Sequence, residues 1–336
     1  DQEAGTYRLR RRDDDRWFGY AVGQHSWKER FFLPEVTLWK VGRHDGTFVA
    51  AREQAPAERL ALLDVRPCDL AAIAIQDRIF VHDRFADPIY CAKRSQVFVV
   101  AVNCAAAGGT CFCVSMGTGP RAMQGFDLAL TELTDGAGHR FLVEIGSEAG
   151  ARILGRVGPV AVAGQVDTEA AAALCAATAA HMGRVFDNRE IQRLLYGNLE
   201  HPRWKDVASR CLACTNCTLV CPTCFCATTQ DLIDIDGRGA EQKRYWDSCF
   251  TMGHSYIHGG SVRASHLSRY RQWLVHKVCS WIDQFGMSGC VGCGRCITWC
   301  PVGIDITEEV AAIRQHPAAQ PPDNRRRRRG HEHGRS

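Results

Sequence analysis

Eight cysteines fall into two runs of identical spacing, Cys211, Cys214, Cys217, Cys221-Pro222 and Cys290, Cys293, Cys296, Cys300-Pro301. Each reads C-x2-C-x2-C-x3-C-P, the spacing with which thiolates hold 4Fe-4S clusters. Three thiolates two residues apart wrap one cubane, and in two-cluster ferredoxins the fourth ligates the other cube. A crossed pattern follows. Cys211, Cys214, Cys217 and Cys300 are expected to hold a first 4Fe-4S cluster, and Cys290, Cys293, Cys296 and Cys221 a second. The competing chemistry is zinc, since paired C-x2-C segments also build tetrahedral thiolate sites, but such sites rarely use a third cysteine and C-P in both halves. Lys205, Arg210 and Arg295 flank the runs, where their charge would offset that of the clusters.

A second group lies upstream. Cys68, in Leu60-Ala-Leu-Leu-Asp-Val-Arg-Pro-Cys68-Asp-Leu, falls where a strand ends and a helix begins, where the helix dipole favours a thiolate. Cys104 ends the next apolar strand, and the loop beyond supplies Cys111 and Cys113. Open α/β sheets build their sites at the carboxyl ends of strands, so Cys68, Cys104, Cys111 and Cys113 are expected to hold a third 4Fe-4S cluster. Cys224, Cys226 and Cys249 are not assigned, and Cys91, Cys175 and Cys279 are read as buried, inert thiols. Gly117-Thr-Gly119-Pro-Arg-Ala122 matches G-x-G-x-x-A formally, but Pro120 and Gly125 spoil the helix that a dinucleotide site needs, so it reads as a turn near the third cluster. No P-loop, H-E-x-x-H, nucleophile elbow or EF-hand loop is present, and no catalytic residue is assigned. His254, His258, His266 and His276 are expected to pack as polar neighbours of the clusters.

Composition fixes the setting. Eighteen cysteines in 336 residues with 46% apolar content is far too large and apolar for a disulfide scaffold, and metal-binding thiols must stay reduced. The expectation is a soluble, cytoplasmic redox protein. Its most apolar runs, Val97 to Ala107 and Ala170 to Ala180, are too short to span a bilayer. Arg10 to Arg12 precede Asp13 to Asp15 instead of an apolar segment, so they are not read as a secretion signal. The net charge of +4 is modest, and Arg325 to Arg329 read as part of a disordered basic tail with no nucleic-acid-binding fold beside it.

The elements that position the cysteines divide in character. Leu60 to Val65, Gln96 to Cys104 and Phe141 to Ile145 read as strands and Asp69 to Phe80 as a helix, an α/β N-terminal domain over residues 1–187. Ile191 to Leu199 and Ser261 to Phe285 have helical patterns, so residues 188–315 are expected to form a mostly helical ferredoxin-type C-terminal domain with two clusters. Residues 316–336 are the basic tail.

The runs together with Thr223-Cys-Phe-Cys226, Trp246-Asp-Ser-Cys-Phe250 and the downstream Val302-Gly-Ile-Asp-Ile-Thr307 resemble a known family of electron-transfer subunits. So do Val65-Arg-Pro-Cys-Asp-Leu-Ala-Ala-Ile73, Thr110-Cys-Phe-Cys-Val-Ser-Met-Gly-Thr-Gly-Pro120 and Phe126-Asp-Leu-Ala-Leu-Thr-Glu132. The family contains the beta subunit of soluble NiFe sulfhydrogenases and the iron-sulfur A component of anaerobic sulfite reductase. The likeness runs from about residue 17 to about 315. It implies an electron conduit between a partner subunit carrying FAD, which exchanges electrons with NAD(P)H, and a catalytic subunit that is either NiFe hydrogenase or sirohaem sulfite reductase. The hydrogenase complex is placed slightly ahead. A cluster-based redox sensor is the alternative from another class, and neither a membrane nor a nucleic acid is expected as a partner.

Overall fold

A computed structural model describes residues 1–53, 58–136 and 138–317 of the chain. Of the tail, residues 318–336, Arg325 to Arg329 included, lie outside the described residues.

Eight strands form two four-stranded sheets among the described residues. They are β1 (Glu35–His44), β2 (Thr47–Arg52), β3 (Leu60–Val65), β4 (Val97–Val102), β5 (Leu128–Asp135), β6 (Gly138–Ile145), β7 (Ala227–Ile233) and β8 (Gly239–Trp246). One sheet has the order β3-β4-β5-β6, with β3, β4 and β5 parallel and β6 antiparallel at the edge. The continuous apolar run of β4 suits a central parallel strand, because both of its faces are covered. Leu62, Val65, Val99, Ala101 and Ala129 form its core with Ile73 of helix α1 (Pro67–Phe80). Pro67 opens that helix, where its missing N–H costs nothing. The strand-to-helix corner at Cys68 falls where the sequence places it, whereas β4 ends at Val102 and Cys104 lies two residues beyond; β5 completes the sheet between β4 and the edge strand.

The second sheet has the order β2-β1-β8-β7, all antiparallel. It joins strands from both sides of residue 188, pairing Glu241 with Lys40 and Gln242 with Trp39. The insert between the two cysteine runs is therefore only partly helical, which corrects the mostly helical pattern read from its sequence. β7 reads Ala-Thr-Thr-Gln-Asp-Leu-Ile and is exposed along nearly its whole length, so it has none of the apolar alternation that marks a half-buried strand. Its stability comes from the ladder to β8.

Helices follow: α2 (Gln165–Ala180), α3 (Ile191–Tyr196), α4 (Pro202–Arg210), α5 (His266–Val275), α6 (Trp281–Phe285) and α7 (Ile306–Gln315). The helical stretch expected from Ser261 starts later, at His266, because Ser265 accepts the Ser268 N–H as its cap. Between α5 and α6 the backbone opens into a π-helical segment, His276–Ser280, which carries Lys277. Leu195, Trp204, Trp273, Leu274, Ile297 and Ile313 are buried together in the core behind the cysteine runs, each such side chain stabilising the fold by roughly 1.5–3 kcal/mol. No helix among the described residues is long and apolar enough to cross a membrane.

Candidate metal centre

The two cysteine runs repeat one backbone geometry. In the first, Ala213 and Thr215 have φ of 50° and 70°; in the second, Gly292 and Gly294 occupy the matching positions with φ of 67° and 74°. Each left-handed pair turns the chain so that an amide points back at sulfur: Ala213 N–H donates to Cys211 Sγ at 3.4 Å, and Gly292 N–H to Cys290 Sγ at 3.5 Å. A one-turn helix follows each, Asn216–Leu219 and Arg295–Thr298. Glycine is required in the second run for a further reason: a Cβ on Gly292 would lie 2.6 Å from Phe112 O, and one on Gly294 2.4 Å from Thr110 O. The loop bearing Cys111 and Cys113 is thus pressed backbone to backbone against the second run, and Phe112 N–H donates to Gly292 O at 2.8 Å.

Cys211, Cys214, Cys217 and Cys300 line one concavity, together with Phe250, Tyr270 and Trp273. Burial and then the neighbouring thiols Cys211, Cys300 and Cys214 hold the Cys217 thiol well above its ordinary range. Ile304 N–H donates to Cys300 Sγ at 3.3 Å. Tyr270 Oη and Trp273 Nε1 are buried donors without a partner among the described residues, the kind of group that a bound anionic body satisfies. A second concavity is ringed by Cys68, Cys104, Cys111 and Cys113, with Cys293 also on its wall. The two hollows are nearly equal in size. Burial drives Cys111 and Cys113 up to about 12, and it overrides the helix dipole at Cys68, whose thiol is also pushed up. Gly117 to Pro120 form a turn beside this group: Pro120 is on its wall, and a Cβ on Gly119 would lie 3.0 Å from Cys113 Sγ.

Cys296 is on the wall of the first hollow and Cys293 on that of the second, with Cys290 and Cys221 as electrostatic neighbours of Cys296. Cys296 is raised by burial and by its neighbours Cys290, Cys293 and Cys221. Among the described residues no three His, Cys, Asp or Glu side chains converge closely enough to hold a single ion. The first and third sets instead line hollows, as a polynuclear cluster needs, and the all-thiol donor set in apolar walls fits 4Fe-4S chemistry.

Buried cations accompany the thiols. Arg295, 2% exposed, forks onto Asp69 at 2.7 and 3.0 Å between Cys68 and Cys293. Lys277 Nζ lies 3.2 Å from Cys221 Sγ and donates to Thr223 Oγ1 and Gly289 O. A hydrogen bond from Cys224, together with Lys277, holds Cys221 below its ordinary range although it is buried. Arg66 pairs with Asp64 at 2.7 Å beside Cys104. Of the flanking cations singled out in the sequence, Arg295 faces the thiols, whereas Arg210 is bound to Glu309 and Lys205 is exposed. Lys277 and Arg66 escaped sequence reading, because nothing in their local pattern distinguishes them from solvated side chains.

Cys226 and Cys249 form a separate pair. The two thiols are electrostatic neighbours, and Cys226 is also a neighbour of His254, whose Nδ1 lies 2.9 Å from Asp247 Oδ2. These contacts hold Cys226 down at about 4 and raise His254 to about 9. Cys91 is half-buried and its thiol bonds Phe80 O, while Cys175 and Cys279 are buried.

Residues 210–304 match a family profile described as a 4Fe-4S dicluster domain. The chain is 30% identical over 290 residues to the sulfhydrogenase 2 subunit beta of Pyrococcus furiosus, an alignment that covers 86% of this chain and 82% of that one. No solved structure matches. With the dicluster profile over the two runs of common geometry and the relative aligned along most of both chains, the protein belongs to the 4Fe-4S dicluster electron-transfer subunit family that includes the sulfhydrogenase beta subunit.

Proposed function

We propose that this chain relays single electrons between a flavin- and NAD(P)-binding partner and the catalytic subunit of a soluble, cytoplasmic NiFe hydrogenase. Cys211, Cys214, Cys217 and Cys300 hold a first 4Fe-4S cluster, Cys290, Cys293, Cys296 and Cys221 a second, and Cys68, Cys104, Cys111 and Cys113 a third. Such clusters supply one-electron redox centres whose potentials the protein tunes through burial, hydrogen bonds to sulfur and nearby charge. Residues 1–187 carry the third group and residues 188–315 the first two. The sulfhydrogenase relative favours the hydrogenase complex over sulfite reduction.

The observation that carries this reading is continuity. Cys217 and Cys296 are electrostatic neighbours, and Cys293 stands on the wall of the third thiol group, where the Cys111 thiol lies 3.9 Å from Cys293 O. The three thiol groups are therefore neighbours in series. The surrounding residues do the tuning: Ala213, Gly292 and Ile304 amides bond the sulfurs, Phe250 and Trp273 exclude water, and Lys277 and Arg295 favour the more negative state. Cys214 and Leu212 are exposed at the rim of the first group, which leaves that end of the series open to a partner.

The test is Cys293→Ala in the intact complex. Reduction of the partner flavin by NAD(P)H should survive while electron delivery to the catalytic subunit fails. Loss of both in an assembled complex contradicts a relay.

A further inference from the structure

Twelve thiols are accounted for by the three groups, and the Cys226–Cys249 pair is not among them. Cys226 O accepts the Asp247 N–H at 2.8 Å, extending the β7–β8 ladder by one rung beyond the Ala227–Trp246 pair. That rung sets Asp247 beside Cys226, with Cys249 two residues on. The short turn after Phe250 then returns His254 to the same place, with Asp247 fixing its Nδ1 side. Both thiols are half-buried, and the His254 and Asp247 side chains are 26% and 13% exposed, so a small reagent can reach the group from solvent. An acid, an imidazole held by that acid, a thiol on the rung beside the acid and a second thiol two residues along together offer a nucleophile, its activating group and a resolving partner.

We propose that Cys226 and Cys249 form a thiol–disulfide exchange site for small disulfides, with Cys226 as nucleophile, Cys249 as resolving thiol and His254 as proton carrier. Cys226 thiolate attacks one sulfur of R–S–S–R. A Cys226–S–S–R bond forms, the substrate S–S bond breaks, and the leaving thiolate takes the His254 imidazolium proton. The neutral imidazole then accepts the Cys249 proton as that sulfur attacks Cys226 Sγ, and passes it to the second leaving thiolate. The pair is oxidised by two electrons to a Cys226–Cys249 disulfide, the substrate is reduced by two to R–SH and R–SH, and an external dithiol resets the pair by the reverse exchange. Depression of the Cys226 pKa, first by Cys249 and then by His254, agrees with this geometry. The cluster ligation proposed above is not needed for any of these steps.

The test uses the full chain carrying its clusters, under anaerobic conditions, with bis(2-hydroxyethyl) disulfide as probe and peptide mapping as readout. A Cys226–Cys249 disulfide should form ahead of any other modified cysteine. Cys249→Ser should instead trap the probe on Cys226, and Cys226→Ser should abolish fast reaction, both with iron content unchanged. His254→Asn should slow the reaction at pH 7 by up to about 30-fold, the ratio expected when a full thiolate reverts to a free thiol of pKa about 8.5. Two results overturn the proposal: Cys226 reacting no faster than buried Cys175, or loss of iron and of a cluster EPR signal in either serine variant, which would make that residue a cluster ligand.

Discussion

Replacing Lys277 with methionine should lower the potential of one cluster and leave the fold standing. Lys277 Nζ is buried 3.2 Å from Cys221 Sγ, and among the described residues its hydrogen-bond partners are Cys221, Thr223 and Gly289, none of them a carboxylate. At an effective dielectric of about 20, unit charges at that separation interact by roughly 5 kcal/mol. An added electron is spread over a cube rather than held on the one sulfur, so about half of that, roughly 2–3 kcal/mol, bears on reduction. For one electron this corresponds to a midpoint about 100 mV more negative, since the reduced state carries the extra negative charge that Lys277 offsets. Methionine keeps the length and apolar stem, and Gly289 O keeps its bond from Thr223 Oγ1 at 2.7 Å. The assay is an EPR-monitored potentiometric titration of the iron-loaded chain beside Lys277→Arg, which retains the charge and should shift little. A Lys277→Met midpoint within about 20 mV of the parent, or above it, with iron content intact, refutes the electrostatic role.

Gly292→Ala should disrupt the second and third sites together, because its Cβ would meet Phe112 O and the Cys113 backbone at 2.6–2.7 Å; Ala213→Gly at the matching position relieves left-handed strain and should stabilise by about 1 kcal/mol in denaturant titrations. Cys111→Ser should remove about a third of the iron and one EPR component, and an unchanged count would end the assignment of a third cluster. Arg295→Met leaves Asp69 buried and uncompensated, which should cost about 3–5 kcal/mol of stability; a cost below about 1 kcal/mol would show the pair to be dispensable. Cys226 faces Cys249 and His254, with His276 farther off, and its folded pKa is depressed to about 4, so its alkylation rate should stay flat from pH 5 to 8 and fall only as the thiolate protonates below about 4, where an ordinary thiol would gain roughly tenfold per pH unit below its pKa of about 8.5.

The features that reached the surface of the sequence were those with local causes. Leu60–Val65 is apolar because β3 packs on the core, Pro67 marks the start of α1, and the cysteine spacing fixes the runs to a backbone geometry that recurs at Ala213 and Gly292. The second sheet was missed although its turns are signalled: Asp45-Gly46, both at positive φ, closes β1 onto β2, and Gly237 at φ 65° sits between β7 and β8. What hid β7 was its polar, exposed composition, and what fixes it is pairing with a strand from the other end of the chain. Buried cations were illegible for the same reason. Lys277 lies in a stretch that looks like a continuous amphipathic helix, and only the π-helical segment turns it onto Cys221. The Cys226, Cys249 and His254 group likewise has no sequence spacing of its own, because the β7–β8 hairpin assembles it.

The most direct measurement is anaerobic isolation of the native complex with identification of its components and quantification of its metals. The relay account predicts a flavin-containing partner, a NiFe catalytic subunit with nickel, and iron bound to this chain. A sirohaem subunit without nickel would move the chain to sulfite reduction, and a chain that carries iron but copurifies with neither a flavin subunit nor a catalytic subunit would contradict the relay itself.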